Sequence, residues 1–295
     1  MKNQARIVPL TAQTVPTEAE VITLKTPKKR SPGRLRPVVQ QLFPAACGIA
    51  LLLLIWQIAS LNRADFPGPF ATGQAALDIF AHPFYYNGPN DQGIGWNILA
   101  SLQRVGTGFL LAALVGIPGG FLLGRSLFLS RMFNPIIALL RPVSPLAWLP
   151  VGLLLFQRAE PASCWTIFIC SIWPMLINTA EGVRGVPQDY LNVARVLKLP
   201  EITIMRKILF PAVLPAIMTG VRLSISTAWL VIVAAEMLTG GMGIGYWIWN
   251  EWNNLNVEHI LIAIGVIGIV GLLLEQALLL LARQFSWQSG RKEEK

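Results

Sequence analysis

Six long apolar stretches constrain this chain more than any other feature of its sequence. They cover residues 43–61, 97–123, 132–156, 163–180, 212–238 and 260–281. About 20 apolar residues are needed for a helix to cross a bilayer, and lipid offers no hydrogen-bond partner to a backbone that is not helical. The stretches predict an all-α membrane protein with six transmembrane helices. They exclude a soluble enzyme, a secreted disulfide-linked domain and a nucleic-acid-binding module.

The positions of the positive charges predict the orientation. Most of the 24 Lys and Arg residues fall before residue 43, in the segments after the second and fourth stretches, and at the C-terminus. The loops on the opposite side carry only Arg63 and Arg158. Cytoplasmic segments are enriched in Lys and Arg, so we expect both termini to be cytoplasmic. Residues 1–42 have no apolar core of a signal peptide and are predicted to be a disordered basic tail, residues 43–282 the membrane domain, and residues 283–295 a second tail.

Catalytic and metal-binding signals are scarce. The three cysteines, Cys47, Cys164 and Cys170, lack C-x-x-C spacing, and His82 and His259 are far apart, so we expect no metal site. No apolar stretch contains Asp or His, which argues against a membrane-embedded enzyme. The chain also lacks the G-x-x-x-x-G-K-[ST] phosphate loop, so any ATP would be bound by a partner.

Charged side chains inside the apolar stretches are candidates for a substrate path. Such charges are unfavourable in lipid and are normally paired. Depth along each helix, at about 1.5 Å per residue, predicts the pairs Arg104–Glu236 and Arg222–Glu275. It leaves Arg141 without a carboxylate at its own depth.

Arg141 has two interpretations. Pro142, Pro145 and Pro150 follow it, and prolines free backbone carbonyls and bend helices. Arg141 either faces a water-filled cavity that attracts anions, or it caps the freed carbonyls. We take Arg141, Arg104, Arg222 and Glu236 as the candidate residues of the path.

The segment 181–211 is amphipathic and basic. Pro187 can begin a helix and Pro200 end it, and a second short helix over 201–210 is predicted to end at Pro211. This helix pair is either a docking element for a cytoplasmic partner or an ordinary interfacial connector.

Three further features concern packing and the loops of the opposite side. Gly116, Gly120 and Gly124 recur every four residues and predict close contact with another helix. A short helix is expected around 74–80 in the long loop 62–96. The loop 239–258 is rich in Gly and then in Trp, which is typical of tight turns and an aromatic belt, with a gate as the alternative.

A spaced pattern within 181–211 carries a family resemblance. Asn192-Val193-Ala194 is followed after three residues by Lys198, and after nine more by Ile208-Leu209-Phe210-Pro211. The register is that of E-A-A, three residues, Gly, nine residues, I-x-L-P, with departures at Asn192, Val193, Lys198 and Phe210. In this register the chain resembles the inner-membrane subunits of binding-protein-dependent ABC importers.

Other segments narrow the resemblance and extend it over about residues 40 to 285. The segments 101–109, 141–148 and 228–236 are similar to the branch that imports nitrate, sulfonates and taurine. The segments 187–197 and 251–256 are most similar to nitrate permeases of the cyanobacterial type.

The resemblance implies a type I importer permease fold and a non-catalytic subunit for uptake of nitrate or nitrite. It implies a bacterial, cyanobacterial inner membrane, a second copy of the chain, two cytoplasmic ATPase subunits that bind ATP and Mg, and an external solute-binding protein. No cofactor and no nucleic acid are expected for this chain. The residues expected to couple it to the ATPase are Asn192, Val193, Ala194, Lys198, Ile208 and Pro211.

Alternative substrates and one alternative class stay open. Within the importer class, an alkanesulfonate, taurine, cyanate or bicarbonate could replace nitrate. An ion-driven carrier or a channel is the other class, but it would leave the segment 181–211 without a role.

Overall fold

The computed structural model describes residues 36–61, 66–88 and 91–290, and the described part consists of helices and one two-stranded hairpin. The elements are α1 Arg36–Leu61, α2 Pro69–Ala81, β1 Tyr86–Gly88, β2 Asp91–Gln92, α3 Ile94–Arg125, α4 Leu127–Leu140, α5 Pro145–Phe156, α6 Ala159–Arg184, α7 Gln188–Val196, α8 Glu201–Ile204, a π turn Met205–Leu209, α9 Phe210–Thr239, α10 Ile244–Asn253 and α11 Val257–Gly290. Of the tails expected at 1–42 and 283–295, residues 1–35 and 291–295 lie outside the described residues. Residues 36–42 belong to α1 and residues 283–290 to α11.

Five of the described helices are long and apolar enough to cross a membrane, and the bent pair α4 and α5 makes a sixth span if it counts as one. The prediction of an all-α membrane protein with six spans is therefore confirmed, with α4 and α5 together as one span. The chain divides into two compact units, Met1–Leu52 and Leu53–Lys295.

The third predicted span is not a continuous helix. α4 ends at Leu140, α5 begins at Pro145, and the two are bent by 99°. Proline disfavours helical backbone in the residue before it, and Ser144 before Pro145 is extended with a ψ of 134°. The expectation of one helix over 132–156 is therefore wrong, and Arg141 lies in the break.

The segment 181–211 also departs from its prediction. α7 begins after Pro187 as expected, but α8 runs through the π turn into α9 without a break. Within the π turn the Phe210 N–H donates to the Met205 carbonyl, five residues back. A π turn there accommodates Pro211, which lacks an N–H to donate. The prediction that the second short helix ends at Pro211 is wrong, and α7 is the single free-standing helix of the segment.

Glycines allow α3 to pack closely on α6. A Cβ placed on Gly116 would lie 3.1 Å from the Ile172 carbonyl oxygen, and one on Gly120 would lie 2.6 Å from the Thr179 Cβ. Gly124 faces Val183 in the same way. The predicted glycine stripe is a helix-packing surface, as expected.

The remaining loops contain more helix than predicted. α2 covers the helix expected at 74–80 and is longer, and α10 occupies the segment predicted as a Gly- and Trp-rich loop. The Glu251 carboxylate on α10 lies 2.9 Å from the His259 Nδ1 on α11, and the Trp247 ring stacks on the His259 ring. These contacts hold α10 against α11.

Candidate functional site

A fully buried carboxylate joins three elements at the α10 end of the molecule. The Glu236 side chain on α9 is 0% exposed and accepts hydrogen bonds at 2.8 Å from the Arg104 guanidinium and at 3.1 Å from the Gly245 N–H. The Ser101 hydroxyl lies 2.8 and 2.9 Å from its two oxygens. The predicted Arg104–Glu236 pair is therefore present. Its hydrogen bonds offset the unfavourable burial of the charge.

The same cluster fastens the loop between α9 and α10. The Asn97 Oδ1 accepts a 2.9 Å hydrogen bond from the Gly243 N–H, and the Ser101 hydroxyl accepts one of 3.0 Å from the Ile244 N–H. Arg104 also donates to the Met242 carbonyl. We call Asn97, Ser101, Arg104 and Glu236 the Glu236 cluster.

Asn97 and Ser101 were missed as functional residues by the sequence analysis. A signal was available, because residues 97, 101 and 104 are spaced so that they share one face of a helix. Polar residues at this spacing within an apolar helix indicate a common buried partner.

The second predicted pair links α9 to α11. The Arg222 Nε donates a 2.8 Å hydrogen bond to a Glu275 carboxylate oxygen, and the guanidinium Nη2 contacts the same oxygen. Half of the Arg222 side chain remains exposed. The pairing is as predicted, and it neutralises Arg222 within an otherwise apolar helix pair.

Arg141 differs from the other two arginines of the predicted spans. Its backbone N–H donates 2.9 Å to the Ile137 carbonyl. Within the described residues, its guanidinium makes no hydrogen bond or ion pair, either with a carboxylate or with the carbonyls near the prolines. The carbonyl-capping interpretation therefore receives no support. Arg141 instead lines a cleft of about 520 Å³ between the α4–α5 break, α5, α6 and α9.

Ala194 on α7 packs inside the chain. It is 1% exposed and belongs to a hydrophobic cluster with Val183 of α6 and Val213 of α9. The assignment of Ala194 to ATPase coupling stays a prediction: within this chain, the close contact that its small size permits is with the chain's own helices.

The other predicted coupling residues are divided between surface and interior. Asn192, Val193, Lys198 and Pro211 are exposed, whereas Ile208 is half-buried beside the cluster that holds Ala194. Large apolar side chains are exposed around α7, namely Tyr190, Val193, Val196, Leu197 and Ile202. We call these five the α7 face.

Lys198 ends α7 in a glycine-like conformation. Its φ is +49°, its N–H donates to the Arg195 carbonyl, and the Leu199 N–H donates to the Ala194 carbonyl. These two bonds form a Schellman motif, whose left-handed residue is usually glycine. The left-handed backbone at Lys198 explains why the family pattern has Gly at this register. The motif also ends α7 before Pro200.

Comparison with known proteins places the chain in a family. Residues 116–285 match the family described as "Binding-protein-dependent transport system inner membrane component". The chain is 46% identical over 236 residues to the nitrate import permease protein NrtB of Leptolyngbya laminosa, covering 80% of this chain and 85% of the relative. It is 47% identical over 247 residues to NrtB of Synechocystis sp., covering 83% and 87%. It is 45% identical over 239 residues to the bicarbonate transport system permease protein CmpB of Synechococcus elongatus, covering 80% and 86%.

Solved structures share the fold at low sequence identity. Two inward-facing crystal forms of the MetNI methionine ABC transporter superpose with TM-scores of 0.55 and 0.57, at 16% and 15% identity, covering 64% of this chain and 94% of theirs. Together with the family match, this likeness establishes the type I ABC importer permease fold expected above. The chain belongs to the inner-membrane components of binding-protein-dependent transport systems.

Proposed function

We propose that this chain forms the translocation path of an ATP-driven importer for nitrate. The observation that carries the proposal is the 46–47% identity to nitrate import permeases over more than four fifths of their lengths. One unpaired positive charge agrees with an anionic substrate. Arg141, in the break of the third span, has no carboxylate partner among the described residues. A substrate anion would supply the missing negative charge.

The α7 face is proposed to bind the cytoplasmic ATPase subunits. Its large side chains are apolar and exposed, with Val196 at 81%, and contiguous exposed apolar surface indicates a protein partner. The chain has no phosphate loop of its own. ATP and Mg would accordingly be bound by the ATPase, and this chain would receive a mechanical displacement.

A route for that displacement runs through Ala194. The side chain packs into the cluster formed with Val183 of α6 and Val213 of α9. Close packing transmits displacement, because filled cores have little free volume to absorb it. A push on α7 is thereby proposed to move α9, whose far end holds Glu236 and the loop before α10.

The assembly is proposed to contain a second copy of this chain and an external binding protein. One face of α9 exposes polar residues at helical spacing, Thr219, Arg222 and Ser226. Such a face is unfavourable in lipid and suits a water-filled path between two copies. The Lys and Arg distribution supports cytoplasmic termini, and the relatives support a cyanobacterial inner membrane.

Bicarbonate is the second candidate substrate, because a bicarbonate permease is 45% identical to this chain. Nitrate and bicarbonate are both small monovalent oxyanions. Selection between them is proposed to lie largely with the external binding protein.

The test is uptake by the complete complex. The permease, its ATPase subunits and its binding protein are reconstituted in proteoliposomes and supplied with labelled nitrate, bicarbonate or taurine. We expect ATP-dependent uptake of nitrate in preference to the other two. Transport of taurine in preference to either anion would contradict the substrate, and transport without ATPase subunits would contradict the class.

A further inference from the structure

The three arginines in the predicted spans have different partners. Arg104 is bound by Glu236 and Arg222 by Glu275, so both are neutralised inside the chain. Within the described residues the Arg141 guanidinium has neither a carboxylate nor a hydrogen-bonded carbonyl. An unpaired guanidinium at membrane depth is unfavourable unless water or an anion solvates it. Arg141 is thus the member of this set that is available to a ligand.

The break between α4 and α5 places Arg141 beside polar groups of two other helices. Asn178 of α6 and Ser226 and Thr227 of α9 line the same cleft of about 520 Å³. Arg141 is the single charged residue of the described cleft lining. A continuous third helix would not end in this turn, so the 99° bend is what presents Arg141 at the cleft.

The donors of the cleft suit an oxyanion. The Asn178 amide spends one N–H on the Pro174 carbonyl, at 2.8 Å, and its second N–H makes no hydrogen bond within the described residues. The Ser226 and Thr227 hydroxyls donate to carbonyls four residues earlier, at 3.2 and 2.9 Å. Those carbonyls also accept backbone N–H groups in the helix, so either hydroxyl can turn to an anion without leaving an unsatisfied carbonyl.

From this juxtaposition we propose that Arg141, Asn178, Ser226 and Thr227 form an anion-binding site within the membrane domain, specific for a small monovalent oxyanion such as nitrate. The guanidinium binds two oxygens of a planar oxyanion at once, and the amide and hydroxyls contact the third. The proposal rests on the proposed function and assigns it a site. One positive charge in the lining matches one negative charge on the ligand, and disfavours divalent anions.

The experiment compares variants of the reconstituted complex by the number of anions moved per ATP hydrolysed, with nitrate and with bicarbonate. Arg141→Gln removes the charge, Arg141→Lys keeps it without the planar fork, and Thr227→Val removes a hydroxyl at nearly constant volume. Arg131→Gln is the matched control, because Arg131 is an exposed arginine at the other end of α4, without a side-chain partner in the described residues.

We expect Arg141→Gln to lower the ratio by at least roughly tenfold, as the loss of a charged hydrogen-bond donor predicts. Arg141→Lys should retain a measurable part of the wild-type ratio. Thr227→Val should lower the ratio several-fold, about the effect of one neutral hydrogen bond. Arg131→Gln should transport as the wild type does. Equal loss in Arg141→Gln and Arg141→Lys, or an unchanged ratio in Arg141→Gln, would overturn the site.

The outcome separates the site from the proposed function. Wild-type uptake of bicarbonate and not of nitrate would contradict the proposed substrate, while a tenfold loss of that uptake in Arg141→Gln would still support the site. Wild-type uptake of nitrate with an unchanged Arg141→Gln ratio would contradict the site alone. Uptake of neither anion by the wild type would overturn both.

Discussion

Glu236 and Gly243 are packed so closely that a single methyl group would not fit between them. A Cβ on Gly243 would overlap the Glu236 carboxyl group, and the Gly243 φ of +153° is a conformation that other residues rarely adopt. The buried carboxylate and the loop before α10 therefore depend on each other. Any movement of the end of α9 has to move this loop as well.

Replacing Gly243 with alanine is expected to release the loop. Gly243→Ala should lower the free energy of unfolding by roughly 1–3 kcal/mol from backbone strain, with a further loss from the overlap. Thermal unfolding of the purified permease complex measures the change. Gly241→Ala is the matched control, because Gly241 has a φ of +91° but open space where its Cβ would lie. Equal destabilisation by both variants would show that the overlap with Glu236 has no effect.

Removal of one partner of the buried Arg104–Glu236 pair should lower the free energy of unfolding more than removal of both. Glu236→Gln leaves the buried Arg104 charge with only the exposed Glu160 carboxylate, 4.0 Å away, and removal of one partner lowers stability by about 3–5 kcal/mol in typical buried pairs. The double variant Arg104→Gln/Glu236→Gln should recover part of that loss. A double-mutant cycle on the unfolding midpoint checks this expectation. Additive effects of the two substitutions would contradict direct coupling.

Lys198→Gly should stabilise α7. Lys198 has a φ of +49°, and a left-handed conformation is less favourable for a residue with a Cβ by roughly 1–2 kcal/mol. Glycine removes that penalty while the two backbone hydrogen bonds of the Schellman motif remain. Arg195→Gly, one turn earlier in the helix, should instead destabilise it by about 1 kcal/mol. Hydrogen exchange of the α7 amides distinguishes the two, and faster exchange in Lys198→Gly would contradict the strain.

Substitutions at the adjacent residues Val193 and Ala194 of α7 should have different effects, one on partner binding and the other on folding. Ala194→Asp places a carboxylate in the hydrophobic cluster shared with α6 and α9 and should lower the yield of folded permease. Val193→Asp changes an exposed residue of the α7 face and should leave folding intact while the ATPase no longer co-purifies. Size-exclusion chromatography and co-purification give the two measurements. Normal ATPase association in Val193→Asp would exclude this face as the docking surface.

Much of the fold could be predicted because lipid restricts the choices. Long apolar stretches must be helical, and charges in lipid are normally paired. Five of the six spans and both pairs, Arg104–Glu236 and Arg222–Glu275, therefore followed from position along the chain. Depth alone could not identify Ser101 or the Gly245 N–H as further partners of Glu236, because these contacts require the loop before α10 to fold back onto α3.

The predictions that were wrong share a physical cause in proline and backbone geometry. Pro145 begins a second helix after a break in the third span, yet Pro211 lies inside a helix because a π turn precedes it. A sequence shows where proline removes a backbone N–H. It does not show whether the chain breaks the helix there or inserts a π turn. The burial of Ala194 was likewise invisible, because a small residue on a short helix is equally suited to the chain's own core and to a partner's cleft.

The proposed function requires this chain to move nitrate across a membrane when an ATPase acts on it. The most direct measurement is the initial rate of labelled nitrate uptake by proteoliposomes that contain the complete complex and its binding protein, with ATP and with a non-hydrolysable ATP analogue. We expect uptake against a nitrate gradient with ATP and none with the analogue. Equal uptake in the two conditions, or ATP hydrolysis without any nitrate uptake, would contradict it.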